Sequence, residues 1–211
     1  MHTDTKAEIR KPQPVAPFNY LSEDGSNLVN VLFKYLNDRE FRDTLEKVLR
    51  FAIPDFEELY VDSPAGNFVN LTWKEKYLKR ELYASDLSDG TLRLLCLCAI
   101  LLPNKKVTPP KLICIDEPEL GLHPRLLKLL AELIQSKSEE SQIIITTHSP
   151  EFLSFFKLEE IVAVRREAGK THFERPASKE RLKTMLENYE TSIGELWLQG
   201  ELGDTSLKLP Q

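Results

Sequence analysis

The stretch 111-KLICIDEPELGLHP-124 ends an apolar run in two adjacent carboxylates, Asp116 and Glu117, with Pro118 directly behind them. A carboxylate closing a buried strand must meet a cation, a proton or hydrogen-bond donors, because desolvation disfavours its charged form. Two such groups in succession suit a divalent cation and a water that is to lose a proton. The bland alternative is an acid pair at the start of the following helix, favoured by the helix dipole.

Four apolar residues followed by Asp-Glu match the Walker B pattern of nucleotide hydrolases, in which the first acid holds Mg²⁺ and the second orients or deprotonates the attacking water. Upstream, 86-DLSDGTLRLLCLCAILL-102 places Ser88 as a helix cap and Gly90 where backbone can approach closely, leaving free N–H groups at a helix start suited to phosphate. A well-capped buried helix explains the same residues without a ligand. Downstream, 143-IIITTHSP-150 closes a strand with Thr146, Thr147 and His148. A histidine there can hydrogen-bond a phosphate, or simply serve the structure.

These residues need rigid elements behind them. Apolar strands at 112–115, 143–146 and 161–164 alternate with helices near 90–102, 124–136 and 150–156, which favours a parallel sheet with helices packed against it. Pro124 opens the middle helix, with Leu126, Leu127, Leu130, Leu133 and Ile134 behind it. Asp116, Glu117 and His148 then fall at the carboxyl ends of strands, where open α/β sheets collect ligands.

Ahead of this core, Ser26 is expected to cap a helix carrying Leu28, Leu32, Tyr35 and Leu36 on one face. A second helix carries Phe41, Leu45, Val48, Leu49 and Ala52 until Pro54 stops it. Val69, Leu71 and Trp73 alternate with polar residues after Pro64-Ala65-Gly66, predicting an antiparallel hairpin. The organisation expected is a tail or linker over 1–20, a helical and hairpin lobe over 21–86, an α/β core over 87–202 and a tail over 203–211.

In order and spacing, Leu87-Ser88-Asp89-Gly90, then Asp116-Glu117-Pro118, then His148 resemble the signature, Walker B and H-loop of ABC-type ATPases, closest to their SMC/RecF-like branch with LSDGT signatures and DEPE-x-x-LHP segments. The resemblance covers about residues 20–200 and implies a partial P-loop NTPase fold, ATP and Mg²⁺ as ligands, and a head-to-head dimer. It implies Asp116 as the Mg²⁺ residue, Glu117 as the catalytic base and His148 on the γ-phosphate. Leu87, Ser88, Asp89 and Gly90 would touch the nucleotide of a second subunit, and Gly121, Leu122 and His123 would form the D-loop. Asp89 stands where transporters have glycine, and His123 where they have aspartate.

No G-x-x-x-x-G-K-[ST] stands in the 211 residues. Gly169-Lys170-Thr171 has Val164 five places before Gly169 and reads as a hairpin turn. The expected partner is therefore a second copy or an N-terminal ATPase half carrying the P-loop.

A net charge of −5 excludes a global basic footprint and leaves only a local basic patch open to nucleic acid, so DNA is expected through an assembled complex. The longest apolar run, 92–103, falls short of the roughly 20 residues a bilayer needs, so no membrane partner and a cytoplasmic setting are expected. Cys96, Cys98 and Cys114 sit among aliphatics and read as packing thiols. Three functions compete: an ATPase driving DNA repair or anti-phage defence, a non-catalytic interaction module on the same scaffold, and a metal nuclease. For the last, only Glu159, Glu160 and the acids of 195–204 are at hand, with no converging carboxylate set in the sequence.

Overall fold

Helix α1 (Leu28–Tyr35) buries Leu28, Val31, Leu32 and Tyr35, and helix α2 (Arg39–Ala52) buries Phe41, Leu45, Val48, Leu49 and Ala52, the stripe its periodicity predicts. The computed structural model describes residues 8–63, 66–188 and 191–202. Among these, the chain divides into two compact units: 8–63, 66–115, 120–126 and 133–144 in the first, and 116–119, 127–132, 145–188 and 191–202 in the second.

The cap of α1 differs from expectation. Asn27, not Ser26, holds the cap position and makes no side-chain cap bond. Ser26 instead donates its amide to Asp24 Oδ1 at 2.9 Å, a local turn that competes with capping. Asp38 caps α2 through Oδ1, which accepts from the amides of Glu40 (2.9 Å) and Phe41 (3.3 Å).

The predicted hairpin is present: β2 (Phe56–Asp62) pairs antiparallel with β3 (Phe68–Glu75), with Leu59 opposite Trp73 and Val61 opposite Leu71. Val69, Leu71 and Trp73 are buried. Pro64 and Ala65 of the predicted turn lie outside the described residues. On the other edge of β3, β1 (Gln13–Pro14) and β4 (Leu82–Tyr83) pair antiparallel. Residues 8–20, expected as a tail, are thus built into the fold. Ile9 is 1% exposed and Gln13 pairs with Val69, because the β3 edge offers backbone donors and acceptors to whatever lies beside it. The tail expected over 203–211 lies outside the described residues.

Helix α3 (Asp89–Leu101) is buried nearly all round, from Leu92 to Leu101, and packs on α1. Strands β5 (Leu112–Asp116) and β6 (Gln142–Thr146) form a two-stranded sheet. They run parallel: the Gln142 amide donates to the Lys111 carbonyl (2.9 Å) at one end and the Glu117 amide to the Thr146 carbonyl (3.1 Å) at the other. Only one face is covered. Ile113 is buried, while Leu112, Cys114 and Ile144 on the alternate face are exposed, so the strand expected to be buried is so on one side.

Between the strands, Pro124–Leu126 forms a 3-10 turn that leads into α4 (Leu127–Ser138), and Leu126, Leu127, Leu130 and Ile134 are buried as expected. Helix α5 (Pro150–Leu153) is shorter than its predicted span.

The strand expected at 161–164 falls at β7 (Ala163–Glu167) and does not join the parallel sheet; it pairs antiparallel with β8 (Lys170–Glu174). The cause is the turn, where Ala168 (φ 48°) and Gly169 (φ 80°) both take the left-handed backbone that closes a two-residue hairpin. The reading of Gly169-Lys170-Thr171 as a hairpin turn therefore holds. Helices α6 (Glu180–Asn188) and α7 (Ile193–Leu198) build the second unit's core from Leu158, Leu182, Ile193, Leu196 and Leu202. Gly194 is required there: an added Cβ would lie 2.0 Å from the Pro150 carbonyl oxygen.

Candidate functional site

Asp116 is the last residue of β5 and Thr146 the last of β6, so the parallel pairing sets the two side by side at the strands' carboxyl ends. The Thr146 hydroxyl donates to Asp116 Oδ1. The Glu117 amide is held by the Thr146 carbonyl at 3.1 Å, with Thr146 Oγ1 at 3.3 Å, and Glu117 itself has φ 44°. A non-glycine residue in that region is held against its own preference, a condition that gathers at working sites. Asp116 is exposed and Glu117 half-buried, so the pair is open to water rather than desolvated as the sequence suggests. One covered sheet face accounts for the difference.

His148 follows β6 on a braced turn. The Thr147 hydroxyl donates to the Glu119 carboxylate and accepts from the Ser149 amide at 3.0 Å, while Ser149 Oγ accepts from Phe152 and caps α5. The exposed His148 ring lies 6.4 Å from the Trp197 ring at an interplanar angle of 33°. Asp116, Glu117 and His148 thus belong to one unit, with neighbouring anchors. Glu119 escapes the sequence reading, although it is the third acid of Asp116-Glu117-Pro118-Glu119; its Oε2 is buried without a hydrogen-bond partner.

The other candidate residues lie in the first unit. Ser88 caps α3, accepting from the Thr91 amide at 3.1 Å, so the capping expectation is met and Ser88 stays exposed. Leu87 is buried. Asp89 is bound by the buried Arg10 guanidinium, which also donates to the Leu87 carbonyl at 2.6 Å and the Ala84 carbonyl at 3.3 Å. Arg10 is the second residue the sequence reading missed, and nothing in its polar surroundings signals it. Gly90 meets Gly121: a Cβ on Gly90 would stand 2.6 Å from the Gly121 carbonyl oxygen, and Gly121 itself has φ 77°. Leu122 is half-buried and His123 exposed, its Nδ1 accepting from the Arg125 amide at 3.2 Å. The structure therefore brings Gly90, the last of 87–90, against Gly121, the first of 121–123.

Among the described residues no group of three or more His, Cys, Asp or Glu side chains converges on a metal. Asp116 suits Mg²⁺ all the same, because that ion keeps several waters and binds through one or two carboxylates together with the phosphates it accompanies.

A family model described as "AAA domain, putative AbiEii toxin, Type IV TA system" matches residues 8–154. The energy-coupling factor transporter ATP-binding protein EcfA2 of Geobacillus kaustophilus is 28% identical over 130 residues, covering 58% of this chain and 42% of that protein. ABC transporter A family member 10 of Dictyostelium discoideum is 35% identical over 71 residues, 34% of this chain and 7% of that protein. The chain thus spans less than half the length of these curated relatives. Among solved structures, one described as "Structural biochemistry of ATP-driven dimerization and DNA stimulated activation of SMC ATPases" aligns at TM-score 0.52 and 20% identity over 78% of this chain and 98% of that one. The Smc head domain of Pyrococcus furiosus, with an extended coiled coil and bound to the C-terminal domain of ScpA, aligns at 0.53 and 21% over 75% and 38%. At these identities the likeness is one of fold, a mixed α/β head.

Proposed function

The chain belongs to the AAA-domain family described as putative AbiEii toxin, Type IV TA system, and on that premise we propose that it supplies the water-activating and phosphate-sensing part of an ABC/SMC-like ATPase. The observation that carries this is the pairing at the strand ends: Thr146 fixes both the Asp116 carboxylate and the Glu117 backbone, with His148 two residues beyond Thr146. In this reading Asp116 holds Mg²⁺, which when bound offsets the charge of the β- and γ-phosphates. Glu117 accepts the proton of the attacking water, its direction set by the left-handed backbone. His148 donates a hydrogen bond to the γ-phosphate from its braced turn.

Leu87, Ser88, Asp89 and Gly90 act on nucleotide held by a second subunit, with Gly121, Leu122 and His123 as the D-loop beside them. The contact of Gly90 with Gly121 supports treating the two segments as one surface. A polypeptide segment carrying the P-loop completes the enzyme, since no such motif stands in the 211 residues. The assembly serves DNA repair or anti-phage defence, a reading supported by the toxin–antitoxin description of the family and by the DNA-stimulated SMC ATPases that share the fold.

Calorimetry with Mg-ATP, run beside light scattering, tests the proposal. The chain alone is expected to bind no nucleotide, and the chain supplied with a P-loop segment is expected to hydrolyse ATP at a rate that Glu117→Gln lowers about 100-fold or more. Micromolar binding with dimerisation by the chain alone overturns the need for a P-loop partner. Hydrolysis indifferent to Glu117→Gln overturns the role of that carboxylate, and indifference of partner binding to both nucleotide and Glu117 favours an interaction module.

A further inference from the structure

The β7–β8 ribbon carries its charges unequally on its two faces. Residues opposite one another across an antiparallel pair share a face, and alternate residues along each strand share it too. The register sets Val164 opposite Phe173, Arg166 opposite Thr171, Arg165 opposite His172, Glu167 opposite Lys170 and Ala163 opposite Glu174. Both acids therefore lie on the face of Arg165, Lys170 and His172. There Glu167 pairs with Arg165 at 3.1 Å, and Glu174 is engaged by Lys179 at 2.8 Å.

The opposite face holds Val164, Arg166, Thr171 and Phe173 and no carboxylate. Phe173 is 73% exposed and Val164 61%, a cross-strand apolar pair left open to solvent. Arg166 has no ion-pair partner among the described residues. Arg175 follows β8 in extended backbone two residues beyond Phe173 and is exposed, with Nη1 donating to the Glu159 carbonyl at 3.5 Å. An exposed aromatic ring thus shares a ribbon face with Arg166 and has Arg175 two residues along the chain, on a segment that is net positive within a chain of net charge −5.

We propose that this face of the β7–β8 ribbon binds single-stranded DNA, with a base stacked on Phe173 and flanking phosphates held by Arg166 and Arg175. Stacking on an exposed ring needs an unpaired base, which excludes a duplex as the preferred ligand. Polyanion binding needs cations without competing acids, and the ribbon separates them by face. The Val164–Phe173 pair offers apolar contact to deoxyribose and to the thymine methyl. Binding requires neither nucleotide nor Glu117, so its failure leaves the ATPase reading standing and the converse also holds.

The test is fluorescence anisotropy of a labelled oligothymidylate of about 20 nucleotides titrated with the full chain without ATP, at about 50 and 200 mM salt. The expected result is binding that weakens with salt, falls about fivefold or more with Phe173→Ala, and falls further with Arg166→Glu. Both side chains are exposed, and circular dichroism that matches the unsubstituted chain shows each variant folded. Absence of binding at the lower salt overturns the proposal. So does binding that Phe173→Ala leaves unchanged while Tyr77→Ala abolishes it, since Tyr77 is 83% exposed near Lys79 and Arg80 and would then be the platform. Equal affinity for duplex, tighter binding of oligouridylate, or full competition by polyglutamate each overturns it, pointing in turn to groove binding, RNA or an acidic peptide.

Discussion

Glu117 occupies φ 44°, a backbone that costs a side-chain-bearing residue about 1–3 kcal/mol and that glycine adopts freely. Its amide is fixed by the Thr146 carbonyl at 3.1 Å, so the surroundings impose the conformation. Glu117→Gly is therefore expected to leave stability unchanged or raise it by about 1 kcal/mol, while removing the proton acceptor of the proposed hydrolysis. Thermal unfolding of the two chains side by side decides it. A clear loss of stability would mean that the Glu117 side chain holds the turn, and that its backbone is a structural need rather than strain kept for chemistry.

At the scale of elements, the cap of α2 ties two parts of the first unit together. Asp38 Oδ1 accepts from Glu40 and Phe41, while Oδ2 accepts from the Lys105 amide at 3.0 Å, beyond α3. Burial pushes the Asp38 carboxyl up, yet the amides of Phe41, Lys105 and Glu40 outweigh it and hold the group below its ordinary 3.8. A carboxyl lowered on folding stabilises above its unfolded value, and that stabilisation is lost as pH falls through the folded value. Asp38→Ala should thus lower the unfolding temperature by roughly 2–4 °C near neutrality, and the gap to the unsubstituted chain should narrow below pH 3.8. A gap that stays constant down to pH 2 would show that shape rather than charge matters at this cap. The helices and the hairpin were legible because each repeats at 3.6 or at 2 over many residues. Residues 8–20 were not, since their order comes from pairing with β3 and from the reach of Arg10 to Asp89, contacts between residues distant in sequence that leave no local pattern.

Across the whole molecule, motif residues were readable where chemistry demands specific types, as at Asp116, Glu117 and Gly90, but their surroundings were not. Composition gave no sign that Ile113 would be covered while Leu112, Cys114 and Ile144 of the same sheet lay open. Equally aliphatic neighbours thus separate the three cysteines into two classes. Burial in and around α3 pushes the Cys96 and Cys98 thiols up to about 12, where almost no thiolate exists near neutral pH. Cys114 is exposed on the open face. In the native chain a thiol-specific reagent is expected to modify Cys114 promptly, and Cys96 and Cys98 only after denaturant is added; mass spectrometry of the quenched protein reads the order. Cys114 also reports on the proposed completion of the enzyme, because a P-loop segment that packs on the bare face of β5 and β6 would bury it. Protection of Cys114 on adding that segment, with Cys96 and Cys98 unchanged, is the expected outcome, and labelling that continues at the same rate would place the segment elsewhere.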